Sequence, residues 1–203
     1  MTALAMLDLV IPDTGPLITL ALIDRLDLLD RFQCPILVTD MIHAELTRGP
    51  DTAPDKAAFE HWYRARGNRV QTVDTLYGPM WRELPDKTRR SIKRQFPNAG
   101  EESIREFAGR VAEVLPEDDQ ILVLFEEEKV KRMFFGRHVH LLHTWAFMVA
   151  LERMGVIPSA DDLYKQVEQR GRTIARDVYE RRAFGGGGLA QDWTDDYDHQ
   201  PDN

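Results

Sequence analysis

The chain has 203 residues, 43% of them hydrophobic and 30% charged, enough for one domain with a substantial core and too few for two full domains. Its net charge of -8 argues against a nucleic-acid binder, since neutralising phosphates calls for Lys and Arg, and no apolar run approaches the length needed to span a bilayer. A single cysteine, Cys34, excludes an internal disulfide framework and makes a cytoplasmic location the expectation, as does the lack of a basic flank around Met1 to Val10.

The opening run LDLVIPDTGPLITLALIDRLDLLDRF predicts a short buried strand ending near Ile11 and a helix from about Pro16 to Asp30. Thr14 suits the cap of that helix and Pro16 its first turn. PILVT at 35–39 predicts a second strand, with Asp40 capping a helix that carries Met41, Ile42, Glu45 and Leu46. Beyond Gly49-Pro50 a helix is expected over 52–66, a strand over 69–73 and a loop at Tyr77-Gly78-Pro79. A basic helix is expected over 87–95, and another helix over 101–114 with Ile104, Phe107, Ala108 and Val111 at helical spacing. Ile121 to Phe125 is an unbroken apolar strand, 128–135 a short helix, 139–142 a strand and 144–154 a helix stopped by Gly155. Ser159-Ala160-Asp161 opens a last helical region reaching about Arg182. Strands alternating with helices predict a three-layer α/β/α fold around a mainly parallel sheet. One domain is expected over 1–183, with a helical insertion around 51–98 and C-terminal helices. Residues 184–203 read as a flexible acidic tail behind Gly185 to Gly188.

Charge is segregated along the chain. Asp192, Asp195, Asp196, Asp198 and Asp202 lie where no Lys or Arg follows Arg182, whereas Arg82, Lys87, Arg89, Arg90, Lys93 and Arg94 outnumber Glu83 and Asp86. Lys87, Arg90 and Arg94 share one helical face, suited either to guiding an RNA backbone or to an ordinary solvated surface. Trp62, Tyr63, Tyr77 and Trp81 suit packing better than base stacking, given Phe59 and Met80 nearby. His138 and His140 face one way on a strand, but no Cys or third clustered ligand accompanies them.

Acids placed just beyond the carboxyl ends of parallel strands lie where such sheets hold ligands. Asp13, Glu45, Glu101 and the pair Glu126-Glu127 occupy such places. Glu45 falls on the apolar side of its helix and Glu101 on the rim of a buried stripe, while Glu102 turns toward solvent. Several inward carboxylates repel one another unless a cation holds them, and a hard divalent ion with oxygen ligands answers that need. Alternatives stay open: an Asx turn or helix cap for Asp13, a favourable helix-terminus acid for Glu101, and a solvated charge run for Glu126-Glu127-Glu128.

The stretch DTGPLITLALIDRLDLLDRFQCPILVTDMIHAEL resembles the opening of PIN-domain proteins, and AGEESIREFA, LVLFEEEKV and VHLLHTWAFMVALERMGVI are similar to later family segments in the same order. The resemblance covers most of residues 8–160, interrupted from about Asp51 to Asn98. It implies an acidic quartet made of Asp13, Glu45, Glu101 or Glu102, and Glu126 or Glu127, holding Mg²⁺ or Mn²⁺ for cleavage of RNA. Catalysis would fall to Asp13, Glu45, Glu101 and Glu127, with Thr14, Lys87, Arg90, Arg94 and Thr144 expected on the substrate side. The chain departs from the family pattern where Glu126-Glu127 replaces the usual Asp and where His143 precedes Thr144 in place of glycine. The implied setting is the toxin of a toxin-antitoxin pair, with RNA and an antitoxin protein as partners and a homodimer left open. A catalytically inactive scaffold that binds RNA or a protein is the competing expectation.

Overall fold

Six consecutive buried positions, Gln120–Phe125, form the strand against which the rest of the sheet is laid. A strand buried on both faces carries apolar side chains on both, and QILVLF does so. In the computed structural model, which describes residues 7–48, 50, 52–85, 98–116, 119–136, 138–177 and 179–181, six strands form one sheet. They are β1 (Leu7–Pro12), β2 (Ile36–Thr39), β3 (Val70–Val73), β4 (Gln120–Phe125), β5 (Val139–His143) and β6 (Glu180–Arg181), in the spatial order β3-β2-β1-β4-β5-β6. The first five are parallel, and the two-residue β6 closes the edge antiparallel to β5.

The helices are α1 (Thr14–Leu22), α2 (Asp40–Thr47), α3 (Pro54–Arg66), α4 (Tyr77–Glu83), α5 (Ala99–Ala112), α6 (Thr144–Arg153) and α7 (Ala160–Gln169), with 3₁₀ turns at Leu26–Phe32, Gly67–Arg69 and Glu128–Arg132. They complete the α/β/α architecture expected from the alternating elements. The core joins the strands to Leu17 and Leu20 of α1, Phe59 and Trp62 of α3, Ile104 and Phe107 of α5, and Phe147 and Leu151 of α6. Among the described residues, no helix is long and apolar enough to cross a membrane.

Several local expectations change once the chain is folded. The first helix stops at Leu22 because Asp24 takes a left-handed conformation (φ 54°) and Arg25 N–H bonds back to the Leu20 carbonyl; the remainder becomes a separate 3₁₀ turn. Capping shifts by one residue at both early helices. Asp13, not Thr14, caps α1, and Thr39, not Asp40, caps α2 by accepting from Ile42 N–H. The helix expected over 52–66 and the strand expected over 69–73 do form, as α3 and as β3 paired in register with β2. Residues 77–79, expected as a loop, open α4, with Pro79 tolerated in the first turn. The last helix ends at Gln169, close to Gly171, which turns left-handed (φ 80°), and residues 172–177 form neither helix nor strand. The basic segment 87–95, Gly185 to Gly188 and the acidic tail lie outside the described residues.

Aromatic side chains serve packing, as expected: Trp62 is buried, the Tyr63 hydroxyl meets Thr72 Oγ1 at 2.9 Å, and Arg48 lies 4.5 Å over the Trp81 ring. Gly78 packs directly on Asp40, whose carboxylate accepts from the Thr75 N–H (3.1 Å) and hydroxyl (2.7 Å). A Cβ at Gly78 would sit 1.6 Å from Asp40 Oδ2, so a methyl there must expel the carboxylate from both bonds. Gly78→Ala should therefore cost about 1–2 kcal/mol, read as a lower urea midpoint at unchanged slope. An unchanged midpoint would mean that the Asp40–Thr75 contact adds nothing to stability.

Candidate active site at the carboxyl edge of the sheet

The strand order reverses between β1 and β4, since the chain leaves β1 toward β2 and β3 but leaves β4 toward β5. In open parallel sheets a crevice forms at that point, beyond the carboxyl ends of the two strands. Asp13 follows β1 directly, and its N–H bonds to the Leu124 carbonyl of β4 at 2.8 Å, pinning it at the reversal. It is 3% exposed. Its carboxylate accepts from Thr14 N–H at 2.8 Å, and the Thr14 hydroxyl donates to Glu45 Oε2 at 2.7 Å. A chain of hydrogen bonds thus links the end of β1 to α2.

The start of α5 is brought to the same place by Ser103, whose hydroxyl meets Thr39 Oγ1 at 2.7 Å and donates to the Gly100 carbonyl at 2.5 Å. Gly100 permits the approach: a Cβ there would lie 3.0 Å from Ile42 Cδ1 and 3.6 Å from Glu45 Oε2. Glu101 is consequently buried beside α2. Burial pushes the Asp13 carboxyl up to about 8, and the charge of Glu101 pushes the same way. The Thr14 N–H opposes the rise, and the charges of Glu127 and Glu45 add to it. Asp13, Glu45, Glu101 and Glu127 therefore share one electrostatic neighbourhood.

The other anticipated site residues are placed differently. Glu102 turns outward and pairs with Arg105 (Nη2 to Oε2, 2.5 Å), away from the cluster. Glu126 is turned back toward α1, where Arg172 holds its Oε2 at 2.7 Å while donating to Thr19 Oγ1 at 2.7 Å. Thr144 is fully buried and donates to the Phe125 carbonyl at 3.4 Å, so it supports the end of β4 and offers a substrate nothing. Lys87, Arg90 and Arg94 lie outside the described residues. His143, where the resembled pattern carries glycine, caps α6 by accepting from Trp145 N–H on Nδ1 at 3.1 Å. Burial pushes its pKa down, which keeps that nitrogen free to accept. His140 packs inward against Gln120 Oε1 at 2.6 Å.

Two cations at the site escaped sequence reasoning. Lys129, on the 3₁₀ turn after β4, reaches Glu101 Oε1 at 2.5 Å, Glu127 Oε2 at 2.9 Å and Asn98 Oδ1 at 3.1 Å. Burial disfavours its charge, but the bonds to Glu101 and Glu127 outweigh that and hold the ammonium above its ordinary range. Its position two residues after Glu127 was the available signal. Arg172 gave none, being 46 residues from Glu126 in sequence.

The donor set consists of carboxylate oxygens, which suits a hard divalent ion such as Mg²⁺ or Mn²⁺, and Asp13's suppressed ionisation marks a place where added positive charge is favourable. Among the described residues, however, no group of three or more His, Cys, Asp or Glu side chains stands close enough together to hold a metal. Thr14 holds Glu45 and Lys129 holds Glu101 and Glu127, so the carboxylates must draw together around an ion for it to be bound.

A carboxyl whose folded pKa is about 8, against 3.8 ordinarily, binds a proton in the folded chain that the unfolded chain has released. Stability should therefore fall as pH rises from about 4 to 8. Without divalent ions, Asp13→Asn should flatten that slope and at pH 8 gain on the order of 2 kcal/mol, about 6 °C in Tm. A variant melting like the parent across that range would contradict the buried charge. Arg172→Met, which strands the Glu126 carboxylate, should cost about 2 kcal/mol in the same assay, and no loss would show that the pair is not structural.

Residues 9–84 match a family model described as a PIN domain, and no curated protein matches the chain. The matched segment carries β1, β2 and β3 with Asp13, Thr14 and Glu45, while Glu101, Glu127 and Lys129 come from beyond it. Through that match, set within a parallel sheet whose reversal point carries the acids, residues 9–84 are similar to the PIN domain, a family whose members are generally nucleases.

Proposed function

We propose that the protein is a metal-dependent endoribonuclease that hydrolyses RNA phosphodiester bonds at Asp13, and that it acts as the toxin of a toxin-antitoxin pair. The observation that supports this reading is the Asp13 carboxyl at the strand-order reversal, its pKa raised first by burial and then by the charges of Glu101, Glu127 and Glu45. Asp13 and Glu45 would hold Mg²⁺ or Mn²⁺, with Glu101 and Glu127 completing the acidic wall. When bound, such an ion activates a water and offsets the negative charge that develops on the leaving oxygen.

The chain's own residues prepare that chemistry. Thr14 fixes the Glu45 carboxylate by its hydroxyl and the Asp13 carboxylate by its N–H, so both acids start from set orientations. Burial of Asp13 keeps bulk water from screening whatever charge binds there. Lys87, Arg90 and Arg94 directly precede α5 in sequence and would supply positive charge for the RNA backbone. An antitoxin protein would be the regulating partner, and the compartment would be the cytoplasm.

A second reading, a scaffold that binds RNA or protein without turnover, has a specific observation in its favour: Lys129 and Arg172 already pair with three of the anticipated acids. Incubating purified protein with a mixed RNA pool and Mn²⁺, Mg²⁺ or EDTA separates the two. The nuclease reading expects cleavage abolished by EDTA and slowed about 100-fold or more in Asp13→Ala, equivalent to about 2.7 kcal/mol of transition-state stabilisation. Absence of cleavage by the folded, partner-free protein, with RNA retained on a filter, would favour the scaffold.

A further inference from the structure

We propose that the Lys129 ammonium occupies a divalent-cation position formed by Glu101 and Glu127, so that removing this one side chain opens a place for a metal ion that the intact chain fills itself. An ammonium group has three N–H donors and no acceptor. Here three oxygens from two separate elements surround it: Glu101 Oε1 and Asn98 Oδ1 at the start of α5, and Glu127 Oε2 in the turn after β4. A small hard cation would be approached by the same kinds of oxygen. The two carboxylates it bridges both act on Asp13, which places the ammonium inside the acidic cluster.

The side chains differ in freedom. Glu101 is 9% exposed and held on a packed helix, whereas Lys129 is 37% exposed on a flexible stem. Glu101 therefore stays in place when the ammonium is removed, and the vacated charge is made up from solution. Arg172 does not substitute, because its guanidinium is committed to Glu126, Thr19 and the Gly15 carbonyl on the α1 side. The carboxylates that the intact chain leaves for a metal are then Asp13 and Glu45.

The inference rests on the metal-binding reading above only for what the unaltered chain holds, and counting bound ions separates the two. Chelator-stripped full-length protein is titrated with Mn²⁺, and free Mn²⁺ is read by electron paramagnetic resonance. Lys129→Met should bind one more ion per chain than the parent, and the double variant Glu101→Gln/Lys129→Met should return to the parent's count, with thermal melts confirming that all are folded. If Lys129→Met does not fold, Lys129→Gln, which retains a donor but no charge, carries the same expectation. An ion gained by the variant when the parent binds none would sustain the role of Lys129 while removing the metal-dependent reading of the intact chain. The same count in parent and Lys129 variant, or an added ion that survives loss of the Glu101 carboxylate, would overturn the proposal.

Discussion

A carboxyl group with almost no access to solvent, fixed at the point where the strand order reverses, is the constraint around which this site is arranged. Asp13 is held there by backbone: its N–H is tied to β4, and its side chain caps α1. An isolated ionised carboxylate in such a place is costly, and the surrounding acids increase the cost. Burial and the neighbouring acids suppress its charge, the Thr14 N–H favours it, and the opposite charges pair with the surrounding acids rather than with Asp13 itself.

The opposite charges come from parts of the chain that meet only after folding. Lys129 is offered by the turn after β4, and Arg172 by the segment that follows α7. That stretch is itself anchored at several points, with Lys131 paired to Asp177 and lying over the Tyr179 ring, and with Arg176 stacked 4.2 Å over Tyr164. The Tyr179 carbonyl accepts from His143 N–H and joins this segment to the end of β5. Glu126 is thereby assigned to structure, leaving Glu127 to the acidic cluster. Two adjacent, chemically identical residues are separated in role by the direction each side chain takes beyond the strand.

This division bears on how the chain compares with the PIN-domain model that its first part matches. The segment that matches the PIN-domain model contains the first two acids and the threonine between them, whose mutual geometry is set by local contacts around β1 and α2. The remaining acids arrive with α5 and β4, outside that segment, and are accompanied by the lysine that neutralises them. The nuclease and scaffold readings differ in whether a metal ion joins Asp13 and Glu45 beside this ammonium.

The fold was largely legible from the amino-acid sequence, because an apolar run such as ILVLF at 121–125 and the helical spacing of Ile104, Phe107 and Ala108 register burial directly. The inward placement of Glu101 and the outward turn of Glu102 follow from the same periodicity, since two neighbours on a helix point about 100° apart. Asp13 and Glu45 were visible for a related reason, each standing at or just beyond a predicted strand end. Periodicity could not show which side chain wins a shared hydrogen bond. The conversion of residues 77–79 to helix against Asp40 was decided by tertiary contact. The partners of the acids were decided the same way. Sequence alone determined that carboxylates would collect at one edge of a parallel sheet; only the folded chain determined that Lys129 and Arg172 would meet them, because an ion pair across 28 or 46 residues depends on where two backbones arrive in space.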